Sequence, residues 1–287
     1  MIEVENIDKS FKKTKGVLKN LTLKIAPREV CGLIGLNGAG KTTLIRIIAG
    51  LLRPDSGSVS VMGENPATAG SRLLRDMGIL LEKDGFNGNL SFWDNLRFFA
   101  AARGLSPDFT EDYARKWWGD LLTQKKSVKY FSRGERSQCG LARVFLGSPR
   151  LLILDEPLAA LDTRAQGQFH RLVLHHRQQG CTFIISSHNE QAVKNHCTGF
   201  ARLWEGRAEK TLLHSERVFS IRCSKPDRAH AILEKMYRRI SVQGDRICFS
   251  PSQKFQTIAP AITAVAQNKI ELWEAREISP FEAFYDH

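Results

Sequence analysis

Nine residues, Gly35-Leu36-Asn37-Gly38-Ala39-Gly40-Lys41-Thr42-Thr43, leave this chain few ways to fold. They match the pattern G-x-x-x-x-G-K-[ST], and each residue type answers a physical demand. The glycines let backbone N–H groups turn inward around phosphate oxygens, and a following helix adds the partial positive charge of its N-terminus. Lys41 supplies a full charge to β- and γ-phosphates, and the Thr42 hydroxyl is placed to ligate Mg²⁺. The flanks agree with that reading. Val30–Ile34 is a short apolar run that stops at glycine, as a buried strand feeding a turn does, and Thr42–Ala49 carries Leu44, Ile47 and Ile48 at helical spacing.

The same alternation of strand-like and helix-like segments runs through the first ~210 residues and predicts an α/β fold. Ile2–Val4 and Leu21–Ile25 alternate in the strand manner, and Ser58–Met62 resumes as a strand after the turn cluster Arg53-Pro54-Asp55-Ser56-Gly57. Leu151–Leu154 and Thr182–Ser186 are continuous apolar runs, as expected in the middle of a parallel sheet covered on both faces. The character changes after about Glu209. Val218–Cys223, Ile240–Val242, Ile247–Phe249 and Ile270–Trp273 read as strands, and Asp227–Arg239 and the stretch from Phe255 to Val265 as helices. The order β-α-β-β-α-β predicts a small α+β, ferredoxin-like C-terminal module over 211–287. Ser279-Pro280-Phe281-Glu282 has the N-cap, N1 proline and N3 glutamate of a further helix start.

A second constellation lies at Leu151-Leu152-Ile153-Leu154-Asp155-Glu156-Pro157, an apolar strand ending in two carboxylates. An acidic residue at the carboxyl end of a buried strand, beside a phosphate loop, can hold Mg²⁺ through its water shell, the role assigned to Asp155. Glu156 is then placed to orient or deprotonate an attacking water, because phosphoryl chemistry is mostly positioning.

With both constellations in order, the chain resembles the ATP-binding subunits of ABC transporters over roughly residues 1–210. Phe131-Ser132-Arg133-Gly134-Glu135-Arg136, followed by Leu141-Ala142-Arg143, looks like the ABC signature segment and its helix. Ala160-Leu161-Asp162 resembles the D-loop, His188 after Ser186-Ser187 the switch histidine, and Phe11 sits where the family stacks an aromatic on adenine. The resemblance implies a P-loop NTPase ABC cassette over 1–210, with a RecA-like core, an antiparallel subdomain and a helical subdomain at about 86–148. It implies ATP and Mg²⁺ as cofactors and a head-to-tail dimer with ATP at the seam. Lys41 and Thr42 of one copy would face Ser132 and Gly134 of the other. His188 would contact the γ-phosphate, and Asp162 would couple the two sites. Three departures stand out. Phe131, Arg133 and Glu135 replace the signature's leucine, second glycine and glutamine. Glu82 takes the place of the Q-loop glutamine that ligates Mg²⁺. Arg28 replaces a glycine before the strand into the phosphate loop.

Partners follow from charge, from apolar surplus and from the resemblance. The formal charge of +12 suits phosphate ligands, an anionic membrane surface or nucleic acid and selects none of them. No apolar run approaches the ~20 residues of a spanning helix, and no secretory signal precedes the first strand. Asn89–Gly104 carries Leu90, Phe92, Trp93, Leu96, Phe98 and Phe99, with Trp117-Trp118 beyond. Phe92, Leu96 and Phe99 share a helical face that reads as core, while Trp93 and Phe98 are surplus and fit an interface. In the family this region receives an integral membrane permease subunit. The tail Ser279–Tyr285 looks like that of ATPases serving ABC-2-type exporters. The reading is therefore an ATPase motor at the cytoplasmic face of the cell membrane, paired with a permease and a second copy of itself. The alternative is a soluble ABC ATPase acting on nucleic acid, ribosomes or a cofactor-assembly complex. It is disfavoured because such proteins generally carry two cassettes or long coiled-coil insertions. The six scattered cysteines argue against a structural zinc or a disulfide framework. His170, His175 and His176 lack the i,i+4 spacing of a helical metal pair and read as solvated.

Overall fold

The computed structural model describes residues 1–12, 14–81, 84–188, 196–212, 218–250, 252, 254–255 and 257–278. They divide into two compact units, Met1–Lys210 and Thr211–His287. The first begins with β1 (Ile2–Phe11), β2 (Thr14–Ile25), β3 (Val30–Ile34), α1 (Lys41–Ile48), β4 (Ser56–Val61), α2 (Gly70–Arg75) and β5 (Met77–Leu80). A helical stretch follows, with α3 (Phe92–Ala102), α4 (Pro107–Leu122) and α5 (Arg133–Phe145). It closes with β6 (Leu151–Leu154), α6 (Thr163–Gln178), β7 (Thr182–Ser187), β8 (Gly199–Trp204) and β9 (Arg207–Leu212).

Two sheets carry this unit. The larger has six strands in the order β5-β6-β7-β3-β8-β9. The pairs β5–β6, β6–β7, β7–β3 and β3–β8 are parallel. Every residue of β3, β6 and β7 is buried, which is why these strands are nearly continuous apolar runs. The smaller sheet, β2-β1-β4, is antiparallel. Its strand β1 alternates, with Ile2, Val4 and Ile7 inside and Glu3 and Glu5 outside. The inner faces share one core with α1 through Leu44, Ile45 and Ile48. Among the described residues no helix is long and apolar enough to cross a membrane.

The helical stretch is built on serine caps. Ser91 accepts from the Asp94 N–H at 3.1 Å, and Ser106 accepts from Phe109 with Pro107 at the first turn. Trp118 breaks the helical angles of α4 (φ −133°, ψ 29°) and is buried. Tyr113 Oη donates to Ala142 O at 2.9 Å, tying α4 to α5. Arg143 donates to Ile79 O at 3.0 Å and Asp84 O at 2.8 Å, tying α5 to β5 and the loop after it. Phe92 and Leu96 are fully buried as expected, Trp93 and Phe99 are half-buried, and Phe98 is 66% exposed.

One local expectation is corrected here. His176 is not solvated: it is buried, its ring lying 5.0 Å from that of Phe145. Burial, with smaller contributions from His175 and Lys116, pushes its imidazole down to about 4. A histidine held neutral in the fold stabilises it fully above the unfolded value of ~6.5, and that stability drains away as pH falls from there towards 4. His176→Phe is therefore expected to flatten the fall in folding stability between pH 6.5 and 4, by an amount on the order of 3 kcal/mol, as read from thermal melts across that range. His196, also brought down to about 4 by burial and by His170, adds to the slope in the same direction. Arg28 stands in left-handed backbone (φ 63°), the conformation that favours the glycine it replaces. Its N–H still donates to Thr182 Oγ1 at 2.9 Å.

The second unit runs β10 (Val218–Cys223), α7 (Pro226–Leu233), β11 (Arg238–Gln243), β12 (Arg246–Ser250), α8 (Ala259–Gln267) and β13 (Leu272–Ile278). Its sheet has the order β11-β12-β10-β13 with antiparallel neighbours, the arrangement of a ferredoxin-like module. Phe219, Ile221, Ile247 and Phe249 pack on Ala229, Leu233, Ala261 and Val265 of the two helices. The first helix is shorter than its apolar spacing predicts and stops at Leu233 rather than Arg239. Tyr237 instead packs its ring 4.6 Å from Phe249 and donates to Thr257 O at 2.7 Å, which draws the chain off the helical path. The second helix begins at Ala259, so Phe255 precedes it. The tail motif from Ser279 lies outside the described residues.

Candidate functional site

Parallel strands end on the same edge of their sheet, so the segments that follow β3, β6 and β7 are brought together by register alone. Leu154 pairs with Ile185, and Ile34 with Ser187. That places Gly35, Asp155 and His188 within one crevice at the carboxyl ends of the strands, where open α/β sheets bind ligands. A cleft of about 1230 Å³ opens there, lined by Asn37, Gly38, Gly40, Lys41, Thr42 and Thr43 on one wall and by Asp155 and Glu156 on another.

The phosphate loop is held open by its glycines. Gly40 takes φ 100°, and a Cβ there would lie 2.8 Å from Leu18 Cδ2. A Cβ on Gly35 would stand 2.5 Å from Leu203 O, so that position tolerates no side chain. Ala39 closes the turn by donating from its N–H to Leu36 O at 3.1 Å. Lys41 is buried, and its Nζ donates to Gly35 O at 2.6 Å and Leu36 O at 3.3 Å. These are carbonyls of the loop itself, so the ammonium sits over the ring of backbone that would enclose a phosphate.

Asp155 accepts from Thr42 Oγ1 at 2.9 Å and from Ser186 Oγ at 2.5 Å. A hydroxyl and a carboxylate in contact beside a phosphate loop are the hard oxygen donors that Mg²⁺ takes, so the residues present fit that ion. Glu82, the third expected ligand, lies outside the described residues. Glu156 adopts left-handed backbone (φ 48°), rare for a non-glycine residue and concentrated at functional sites. Its N–H donates to Ser186 Oγ at 2.8 Å, and its Oε2 lies 2.9 Å from His188 Nδ1. Ser186 thus orients both carboxylate residues, a function that the polar pair Ser186-Ser187 ending an apolar strand could have signalled.

Other expected residues stand apart in this chain. Phe11 is half-exposed at the end of β1 and does not line the cleft, whereas Val17 does. Ser132 caps α5 in a reciprocal box with Glu135: its N–H donates to Glu135 Oε2 at 2.6 Å, and its Oγ accepts from Glu135 N at 3.1 Å. The glutamate in place of the usual glutamine completes that box. The Ser132 N–H, then Gln124 and Lys126, draw the Glu135 carboxyl below its ordinary range. A Cβ on Gly134 would be 3.1 Å from Ala160 O. Asp162 caps α6 through the Ala165 N–H at 2.8 Å and does not line the cleft. Asp84, which receives Arg136 Nε at 2.7 Å, does line it, and nothing in its sequence context marks it.

Comparison with known proteins gives one consistent result. The family described as ABC transporter matches residues 18–159. The uncharacterised ABC transporter ATP-binding protein YdbJ of Bacillus subtilis is 33% identical over 221 residues, covering 76% of this chain and 71% of its own. The lantibiotic transport ATP-binding protein SrtF of Streptococcus pyogenes is 32% identical over 208 residues, 72% of this chain and 88% of its own. The solved structure of an ATP-binding subunit of an ABC transporter superposes with a TM-score of 0.68 at 28% identity, covering 74% of this chain and 90% of that one.

Proposed function

This chain belongs to the family of ABC transporter ATP-binding subunits, and from that premise we propose that it is the ATP-hydrolysing motor of a membrane exporter, driving a separate permease. One juxtaposition carries the reading: Lys41 on its loop, Thr42 against Asp155, and Glu156 against His188 converge on a single cleft. The loop N–H groups and Lys41 hold the β- and γ-phosphates. Thr42 and Asp155 would hold Mg²⁺, which neutralises phosphate charge when bound. Glu156 orients the attacking water and accepts its proton, and His188 positions that carboxylate and reaches the γ-phosphate. Two copies close head to tail on ATP and reopen after hydrolysis, with Ser132, Gly134 and Asp162 acting from the facing copy and Phe11 against the base.

An aromatic ladder supports coupling to a permease. Phe98 is exposed and meets Phe99 edge-on at 5.4 Å, Phe99 stacks on Phe86 at 5.7 Å, and Phe86 lines the cleft. A protein docked on Phe98 and Trp93 would therefore press on side chains that reach the nucleotide. The permease brings this chain to the cytoplasmic face of the membrane. Replacing Trp93 and Phe98 together by alanine is expected to weaken co-purification with a co-expressed permease at least tenfold while ATP affinity stays within about twofold. Unchanged co-purification would count against docking here, and capture of nucleic acid or soluble proteins alone would favour the soluble alternative.

A further inference from the structure

A second void lies apart from the nucleotide cleft, and its walls are aromatic. It measures about 260 Å³ and is bounded by Phe109, Tyr113 and Trp117 of α4, Phe145 at the end of α5, and His175 and His176 in the last turn of α6. Four of these rings form one continuous wall: Trp117 lies 5.3 Å from His175, His175 5.4 Å from His176, and His176 5.0 Å from Phe145. Hydrogen bonds from Tyr113 Oη to Ala142 O and from Gln168 Nε2 to Trp117 O fix the frame. His176 is only 3% exposed, yet its ring makes no hydrogen bond to any described residue and borders the void. A buried polar group normally has a partner, so its place here points to a ligand. Burial keeps the imidazole neutral near pH 7, with an N–H on one ring nitrogen and a lone pair on the other. At the rim Asp112 and Lys116 stand exposed one turn apart on α4 and bring one charge of each sign. The lining thus favours flat apolar surface with one uncharged hydrogen-bonding group over a net charge.

We propose that this void is a regulatory site for a small planar aromatic compound bearing a cyclic amide, which stacks among the rings and hydrogen-bonds to His176. A cyclic amide carries an N–H and a C=O on one edge, so it meets the imidazole whichever nitrogen holds the proton. Its faces and edges meet Trp117 and Phe145, where aromatic pairs gain from offset or edge-on contact. The regulatory role rests on the reading that the chain is an ATPase working as two facing copies. Helices α5 and α6 both end at this void and begin at the Ser132 and Asp162 caps, which that reading sets in the facing copy's site. The Phe145 ring also lies 6.1 Å from that of Phe183 in β7, the strand whose Ser186 orients Asp155 and Glu156. A ligand that pins the ends of both helices to α4 therefore resists the movement by which the copies close and reopen, and slows turnover.

The test uses the full chain, with 2-quinolinone as probe and naphthalene as the same two-ring frame without polar atoms. Binding is read by ligand-observed NMR without nucleotide, so its outcome does not depend on the ATP cleft. The probe is expected to bind with a dissociation constant below about 1 mM, in reach of a ligand of about eleven non-hydrogen atoms, and naphthalene about tenfold more weakly. His176→Phe keeps the ring wall, removes the polar edge, and is expected to erase that tenfold preference. Trp117→Ala, at a half-buried position, is expected to weaken both compounds. Saturating probe is expected to lower kcat for ATP at least twofold in the unaltered chain, and by less in His176→Phe at the same concentration. No saturable binding at millimolar probe, or a preference that survives His176→Phe, would overturn the site. Binding with kcat unchanged would overturn its regulatory role. A chain that hydrolyses no ATP would remove the ATPase reading and the regulatory role with it, while the binding result still decides the site.

Discussion

Lys41→Ala is expected to weaken ATP binding at least a hundredfold and to abolish measurable hydrolysis while leaving the melt nearly unchanged. Lys41 is buried against its own loop, with Nζ on Gly35 O and Leu36 O, so it meets phosphate with little solvent between. Removing one partner of a desolvated charge pair costs about 2–5 kcal/mol, and a hundredfold is about 2.7 kcal/mol. The fold has little stake in the ammonium, because the lysine is the first residue of α1 and its carbonyl partners belong to an open loop. Lys41→Arg should not rescue binding, since a planar fork does not fit a space shaped for a point charge. Titration with a fluorescent ATP analogue, phosphate release and a thermal melt check all three statements. Hydrolysis at the unaltered rate would exclude the loop as the ATP site.

Glu156→Gln separates binding from chemistry. Loss of a positioned general base costs about 10²–10⁴ in rate, so kcat should fall by that factor with ATP affinity kept within a few-fold. Glutamine preserves the shape, the donation from the backbone to Ser186 and the reach to His188, and it removes only the basic oxygen. The left-handed backbone at Glu156 is retained by either residue, so no new strain arises. Single-turnover phosphate release set beside equilibrium ATP binding gives both numbers. A loss of binding equal to the loss of rate would make Glu156 a binding group instead of the base.

Much of the first unit was legible because buried parallel strands announce themselves as short apolar runs. Val30–Ile34 and Leu151–Leu154 are β3 and β6 to the residue, and the groups just past them are the ones the cleft gathers. Local chemistry sufficed for those positions, since a strand end and a loop are defined by adjacent residues. What was not legible depends on long-range packing. Asp84 joins the cleft only because Arg136 and Arg143 of α5 fold back on the loop after β5, and no local pattern marks that contact. His176 carries the polarity of a surface residue, yet α6 turns it against Phe145. The early end of α7 has the same origin, since Tyr237 has good helical spacing but better aromatic partners elsewhere. Ser132 and Asp162 stand apart from the cleft in a single chain, which is where a facing copy becomes necessary to the proposed mechanism.

Sedimentation velocity of Glu156→Gln with ATP and Mg²⁺, followed by analysis of the bound nucleotide, is the most direct test that the cleft binds ATP and closes two copies around it. The expected result is a species of twice the monomer mass holding unhydrolysed ATP, lost on adding Lys41→Ala and absent with ADP. A monomer that turns ATP over at the unaltered rate would contradict both the assignment of Glu156 and the closing of two copies on the nucleotide.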